Sequence, residues 1–141
     1  LTLSMGEKRV LSIATMLILD QDVLIMDEPT MGLDNGVLHS IMDVCQELNK
    51  QGKTIIMVTH DMRCVAQWAS RVLVMEQGNI IFDGLPREFF RMKAILDKNH
   101  LGKPPICELS ELLWPEWNYT FLSQEEMLAA VEEAGAKSAV E

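Results

Sequence analysis

Apolar positions along the chain gather into two strand-length runs and several helical stripes, and the polar breaks between them set the order of elements. Val10, Ile13, Ala14, Leu17 and Ile18 recur on one helical face, predicting an amphipathic helix from about Gly6 to Leu19 with Ser4 as its cap. Asp20-Gln21-Asp22 then turns the chain into Val23-Leu24-Ile25-Met26, a short buried strand. A second stripe, Leu38, Ile41, Met42, Cys45 and Leu48, predicts a helix over residues 37–49. Thr54–Val58 is continuous and rich in β-branched residues, as in a strand covered on both faces. Strand, helix and strand in that order imply two parallel strands with a right-handed crossover.

Residues 61–69 read as a short helix. Residues 71–76 and 79–83, joined at Gln77-Gly78, read as an antiparallel hairpin. Pro86 suits the first position of a helix containing Phe89 and Phe90. Lys98–Pro105 reads as a linker, followed by short helices over 106–113 and 123–133, the second with a Ser123/Glu126 capping box. Residues 135–141 are expected to fray. Met26, Met42, Met57 and Met75 lie in apolar runs and read as core filler. Trp114, Trp117, Tyr119, Phe121 and Leu122 form an aromatic cluster that either anchors a partner or packs on the chain's own helices.

With 141 residues, 48% hydrophobic and 23% charged, the chain reads as globular, with enough length for one domain and a real core. A net charge of −9 argues against a nucleic-acid surface, but not against nucleotide binding, which uses backbone amides and few cations. Cys45, Cys64 and Cys107 form no C-x-x-C pair and read as reduced thiols of a cytosolic protein, Cys45 as a core residue. No apolar stretch reaches the ~18 residues of a membrane span, and no signal peptide is evident.

The chemistry concentrates where the first strand ends. Asp27 and Glu28 follow the apolar run, and Pro29 stops the strand because it cannot donate a ladder hydrogen bond. Two acids at the carboxyl end of a buried strand suit a phosphate–metal site, one holding Mg²⁺ and the other facing water. Alone, such a pair reads as an ordinary solvated strand end. Ser4 and Gly6 open a helix whose first amides and partial positive charge suit an anion, although a plain N-cap explains them equally well. Gly52-Lys53-Thr54 imitates the end of a P-loop, but the glycine required five residues before Gly52 is Glu47. The triplet also precedes its strand, so it reads as a helix–strand turn. His39 and His100 have no chemical context, and a lone His60 is more often structural or solvated.

Taken together and in order, Leu3-Ser4-Met5-Gly6-Glu7, Val23–Glu28, Met31-Gly32-Leu33-Asp34 and Thr59-His60-Asp61 resemble the ATPase subunits of ABC transporters. The resemblance is close over residues 1 to about 90. Residues 3–7 look like the signature motif, 23–28 like the Walker B strand with its catalytic glutamate, 31–34 like the D-loop, and His60 like the switch histidine. It implies ATP and Mg²⁺ as cofactors. Asp27 is then expected to hold Mg²⁺ through a coordinated water, Glu28 to orient the attacking water, and His60 to donate to the γ-phosphate. Ser4, Gly6 and Glu7 are expected to face the nucleotide of a partner subunit. Asp34 is expected to couple the two half-sites, with capping before Val37 as a compatible second role. Met5 and Glu7 depart from the usual Gly and Gln, and Lys8 and Arg9 are expected to offset the charge of Glu7.

Residues 71–90, Leu101–Ile106 and Glu108–Leu113 are similar to the tail of energy-coupling-factor ATPases, which drive uptake of vitamins and of cobalt or nickel ions. The fold this implies is α/β, a P-loop NTPase nucleotide-binding domain of ABC type with a small carboxyl-terminal helical region. The sequence opens two residues before a motif normally deep inside that domain, so the amino-terminal half, with its P-loop, is expected upstream. Residues 1–93 are expected to carry the ATPase motifs, and 94–141 an accessory region that pairs ATPase subunits. The implied partners are a second ATPase subunit, as homo- or heterodimer, and transmembrane transporter subunits, with no nucleic acid. The implied location is peripheral, on the cytoplasmic face of the membrane. The alternatives are another ABC importer or exporter, a soluble ABC ATPase, and a nucleotide-binding subunit without turnover.

Overall fold

A computed structural model describes residues 3–115 and 119–138, arranged as two compact units, Leu1–Asp61 and Met62–Glu141. The first unit opens with helix α1, Met5–Ile18. Strand β1, Val23–Asp27, follows, then helix α2, Asn35–Lys50, and strand β2, Thr54–Val58. The strands pair in parallel, Val23 opposite Thr54 through to Asp27 opposite Val58. The α2 stripe behaves as its spacing predicts: Leu38, Ile41, Met42 and Cys45 are buried. Leu24 and Met26 are buried on one face of β1.

The other face of the pair differs from expectation. Val23, Ile25, Ile56 and Val58 are all 45–57% exposed, so β2 is not covered on both sides among the described residues. The physical reason is that α2 packs against one side of the pair, and no other described element covers the opposite side. Helix α1 departs in the same way: Ile13 is buried and Leu17 half-buried, while Val10 and Ile18 are exposed. The Gly52-Lys53-Thr54 triplet is the turn expected. Gly52 has φ +95°, and Lys53 Nζ meets Asp20 Oδ1 at 2.6 Å and donates to the Asp20 and Gln21 carbonyls.

The second unit comprises α3 (Met62–Trp68), β3 (Val72–Glu76), β4 (Asn79–Gly84) and α4 (Pro86–Phe89), then α5 (Lys93–Lys98), α6 (Pro105–Leu113) and α7 (Gln124–Ser138). The hairpin forms as predicted. Gln77 and Gly78 both take positive φ, +48° and +79°, as a two-residue turn matched to strand twist requires. Met75 is 65% exposed beside a register shift at Val74/Met75, so it is not core filler. The core gathers Met62, Ala66, Val72, Val74, Phe89, Phe90, Leu96 and Cys107, with Ile106 and Leu122 packed at its edge. This core straddles residue 93. The compact units divide at 61/62, and Phe89, Phe90 and Cys107 share the core of the second.

Beyond α5 the chain folds back on itself. Phe121 is 2% exposed and takes the edges of Trp114 and Tyr119. The Cys107 thiol donates to the Phe121 carbonyl at 3.3 Å, and Ser110 Oγ accepts from the Phe121 N–H. Arg87 stacks over the Tyr119 ring at 4.1 Å and pairs with Glu126. Ser123 caps α7 through the Glu126 N–H, but the Glu126 carboxylate reaches Leu122 N rather than Ser123 N. Helix α7 continues to Ser138, past the expected fraying point, and Trp117 lies outside the described residues.

Burial holds the Cys107 thiol protonated, its pKa pushed up to about 12. Since the thiolate is the nucleophile, Cys107 is expected to resist iodoacetamide at pH 8 in the folded chain and to react once denatured. Mass spectrometry of alkylated peptides measures this, and native labelling of Cys107 would contradict the packing.

Candidate functional site

The site is built where β1 and β2 end side by side. Asp27 closes β1, and the Glu28 N–H still donates to Val58 O at 2.8 Å. At Glu28 the backbone then turns left-handed, with φ +45°. The alternation of a pleat, expected to separate the two acids, therefore ends at Asp27. The turn carries the Glu28 carboxylate to the residues after β2. Its Oε1 accepts from His60 Nδ1 at 2.6 Å, and its Oε2 accepts from Thr59 Oγ1 at 3.3 Å. Thr59 Oγ1 is itself fixed by the Asp61 N–H at 3.0 Å. Glu28 and His60, proposed from separate segments of sequence, are thus in direct contact.

The hydrogen bond from Glu28 raises the His60 pKa above its ordinary 6.5, followed by the charge of Glu28, with Asp61 adding and desolvation opposing. The folded-state value lies above the unfolded one. The pair therefore stabilises the fold fully below pH 6.5 and loses that contribution as pH rises through the raised value. The His60 side chain is 71% exposed, so solvent screens the pair. Its geometry also fixes the ring's options. A carboxylate only accepts, so Nδ1 carries a proton. A neutral ring would then present a lone pair at Nε2, and only the imidazolium presents a second N–H donor.

The first turn of α1 forms a second grouping. Ser4 and Glu7 make a reciprocal capping box: Ser4 Oγ accepts from Glu7 N at 3.2 Å, and Glu7 Oε2 accepts from Ser4 N at 2.8 Å. The Ser4 backbone N–H and then its hydroxyl hold the Glu7 carboxyl below its usual pKa. Glu7 thus turns back to its own helix end. Gly6 lies against the 31–34 segment: a Cβ there would meet Gly32 O at 3.5 Å and Leu33 Cδ2 at 3.7 Å. Asp34 caps α2, with Oδ1 accepting from Val37 N at 2.9 Å, which is the compatible second role expected for it.

Arg9 links the two groupings, a role its spacing does not signal. Its Nη2 donates to the Asp27 carbonyl at 2.8 Å and also to the Glu28 carbonyl. It was expected to offset Glu7. Instead it points to the strand end, and spacing alone cannot tell an arginine on the inner side of a helix from a solvated one.

Among the described residues no group of three His, Cys, Asp or Glu could hold a metal ion by itself. Mg²⁺ at phosphate sites needs one or two carboxylates, with phosphate oxygens and waters completing the shell. Asp27, exposed at the strand end, fits that requirement.

Comparison with known proteins agrees with the geometry. Residues 1–66 match a family profile described as "AAA domain, putative AbiEii toxin, Type IV TA system". The chain is 48% identical over 111 residues to the energy-coupling factor transporter ATP-binding protein EcfA2 of Methanospirillum hungatei, covering 79% of this chain and 28% of that protein. CbiO1 of Clostridium perfringens, a solved structure described as part of the ABC transporter complex CbiONQ, is 39% identical with TM-score 0.55, covering 77% of this chain and 44% of that one. An ATP-binding cassette solved as a dimer in a post-hydrolysis state, bound to ADP and Pi, is 29% identical with TM-score 0.56, covering 60% of this chain and 37% of that one. The chain thus spans well under half the length of these relatives. It belongs to the ATP-binding cassette ATPases, and its α/β fold is part of their P-loop NTPase nucleotide-binding domain.

Proposed function

We propose that this chain supplies the signature helix, the acid pair and the switch histidine of an ATP-hydrolysing site that powers transport into the cell, as part of an energy-coupling-factor type ATPase. The observation that carries the reading is the 2.6 Å contact between Glu28 Oε1 and His60 Nδ1 at the ends of adjacent parallel strands. Phosphoryl transfer demands mainly positioning and charge stabilisation, and this contact provides both. Asp27 would hold Mg²⁺, which would neutralise phosphate charge. Glu28 retains free lone pairs beyond those given to His60 and Thr59, and one accepts a hydrogen bond from the attacking water. His60, held through Nδ1 by Glu28, would offer Nε2–H to a phosphate oxygen when its ring is the imidazolium. Ser4 through its hydroxyl and Gly6 through its first-turn amide face the nucleotide held by a second subunit, and Asp34 faces the junction.

The cargo in this reading is a vitamin or a cobalt or nickel ion, chosen by other subunits. The partners are a second ATPase subunit and transmembrane subunits, with the ATPase peripheral on the cytoplasmic face. Among the described residues no helix is long and apolar enough to cross a membrane. Residues 1–93 carry the motifs, and 94–141 contribute to subunit pairing through the exposed side of α6, where Leu109, Leu112 and Leu113 stand out.

The 141-residue chain by itself is expected to release no phosphate from Mg-ATP, because its sequence holds no P-loop to cradle the phosphates. Joined to a P-loop-bearing amino-terminal segment from a relative, it is expected to hydrolyse ATP. Phosphate release from the chain alone, or none from the joined ATPase, would count against the reading.

A further inference from the structure

We infer that Arg9 is a positioning residue that fixes the backbone from which Glu28 is aimed, and so ties helix α1 to the orientation of that carboxylate. The inference rests on the proposed role of Glu28 facing the attacking water. Arg9 lies in the second turn of α1, half-buried, and its Nη2 donates to two successive carbonyls, those of Asp27 and Glu28. These are the carbonyls at which β1 stops. The Met31 N–H also donates to the Glu28 carbonyl, at a longer 3.3 Å. A guanidinium is permanently charged and carries two hydrogens on Nη2, so one nitrogen can hold both acceptors.

What it holds is an unfavourable conformation. Glu28 has φ +45°, and it has neither the hydrogen of Gly nor the short side chain that lets Asn or Asp settle there. Such a backbone persists only where its surroundings over-determine it. Val58 O on the Glu28 N–H, Arg9 and the Met31 N–H on its carbonyl, and His60 with Thr59 on its carboxylate do so here. Arg9 alone comes from the helix whose first turn is read as meeting the nucleotide. A shift of α1 on nucleotide closure is therefore transmitted to the Asp27–Glu28 backbone by a charged side chain rather than by loop motion.

The test has two arms. In the first, the histidine rings of the complete 141-residue chain are isotope-labelled and His60 is titrated by NMR, for the wild type, Arg9→Lys and Arg9→Ala. The expected result is a midpoint that falls toward the ordinary 6.5 in Arg9→Ala and lies between in Arg9→Lys, at unchanged helix content. An unchanged His60 midpoint in folded Arg9→Ala overturns the inference. Should Arg9→Ala fail to fold, Arg9→Lys decides, since an ammonium lacks the planar fork: an unchanged midpoint there overturns it equally. In the second arm the same variants are placed in the ATPase joined to a P-loop. Misaiming a reacting group by about 1 Å costs on the order of 100-fold. Arg9→Ala is expected to lower kcat by about 10- to 100-fold with KM nearly constant, and Arg9→Lys to recover part of it. A loss confined to KM overturns the inference. A joined wild-type ATPase that does not turn over removes the reading of Glu28 as the water-facing group, while the titration still judges whether Arg9 aims it.

Discussion

Replacing Glu28 by Gln, in an ATPase that joins this chain to a P-loop, is expected to lower turnover by about 10²–10⁴-fold, the usual worth of a positioned general base, while ATP binding survives. The amide keeps the shape of the side chain, but only its oxygen accepts, so it can keep the bond from His60 Nδ1 or the one from Thr59 Oγ1 and not both as they stand. It loses the charge, and two consequences follow. The attacking water loses its basic acceptor. The His60 imidazole also loses the carboxylate charge that helps raise its pKa, so its titration midpoint is expected to fall. Asp27 and the first turn of α1 are untouched, so nucleotide affinity should change little. Steady-state phosphate release and binding of a fluorescent ATP analogue separate the two effects. Wild-type turnover in Glu28→Gln would refute the role assigned to Glu28.

Phe90→Ala should be the most damaging single change to the second unit. Phe90 is 0% exposed, and its ring meets Phe89 at 5.1 Å within the core. Truncating a buried Phe to Ala costs about 3–5 kcal/mol, so the midpoint of thermal unfolding should fall by roughly 15 °C or more. Circular dichroism melts read this directly, and a midpoint within a few degrees of wild type would contradict the packing. The same core explains why a deletion from residue 98 onward is a poor probe of subunit pairing. It would strip Ile106, Cys107 and Leu122 from around Phe89 and Phe90, and unfold what remains. Leu112→Asp is a cleaner probe, because Leu112 is 77% exposed. It is expected to leave the melt unchanged and weaken pairing in sedimentation. Unchanged pairing would remove α6 from the proposed interface.

What could be read in advance followed from local periodicity and turn chemistry. The α2 stripe, the parallel strand pair, the Gln77-Gly78 hairpin and the Ser4 cap each depend on a few adjacent residues. Sequence erred where burial depends on what stands opposite. Thr54–Val58 has the composition of a doubly covered strand, but the cover on one face is not among the described residues. Met75 lies on the same face of β3 as Leu73, opposite the buried Val72 and Val74, so an apolar run alone did not reveal its side. Motif order led Glu28 and His60 to be expected at one phosphate site, whereas their direct contact and the left-handed backbone behind it were not expected. A glutamate gives no hint of positive φ, and Arg9 was weighed only for its charge.

That left-handed backbone sets stability against chemistry at one residue. Gly or Asn would occupy the Glu28 conformation at lower cost, so selection for folding alone would drift away from the residue that the proposed chemistry needs. Where a relative of this chain has lost the reaction, position 28 is the place where relaxation would show first, as a substitution that strengthens the fold while silencing the site. Stabilising screens run on this protein should therefore score that position by turnover as well as by melting temperature.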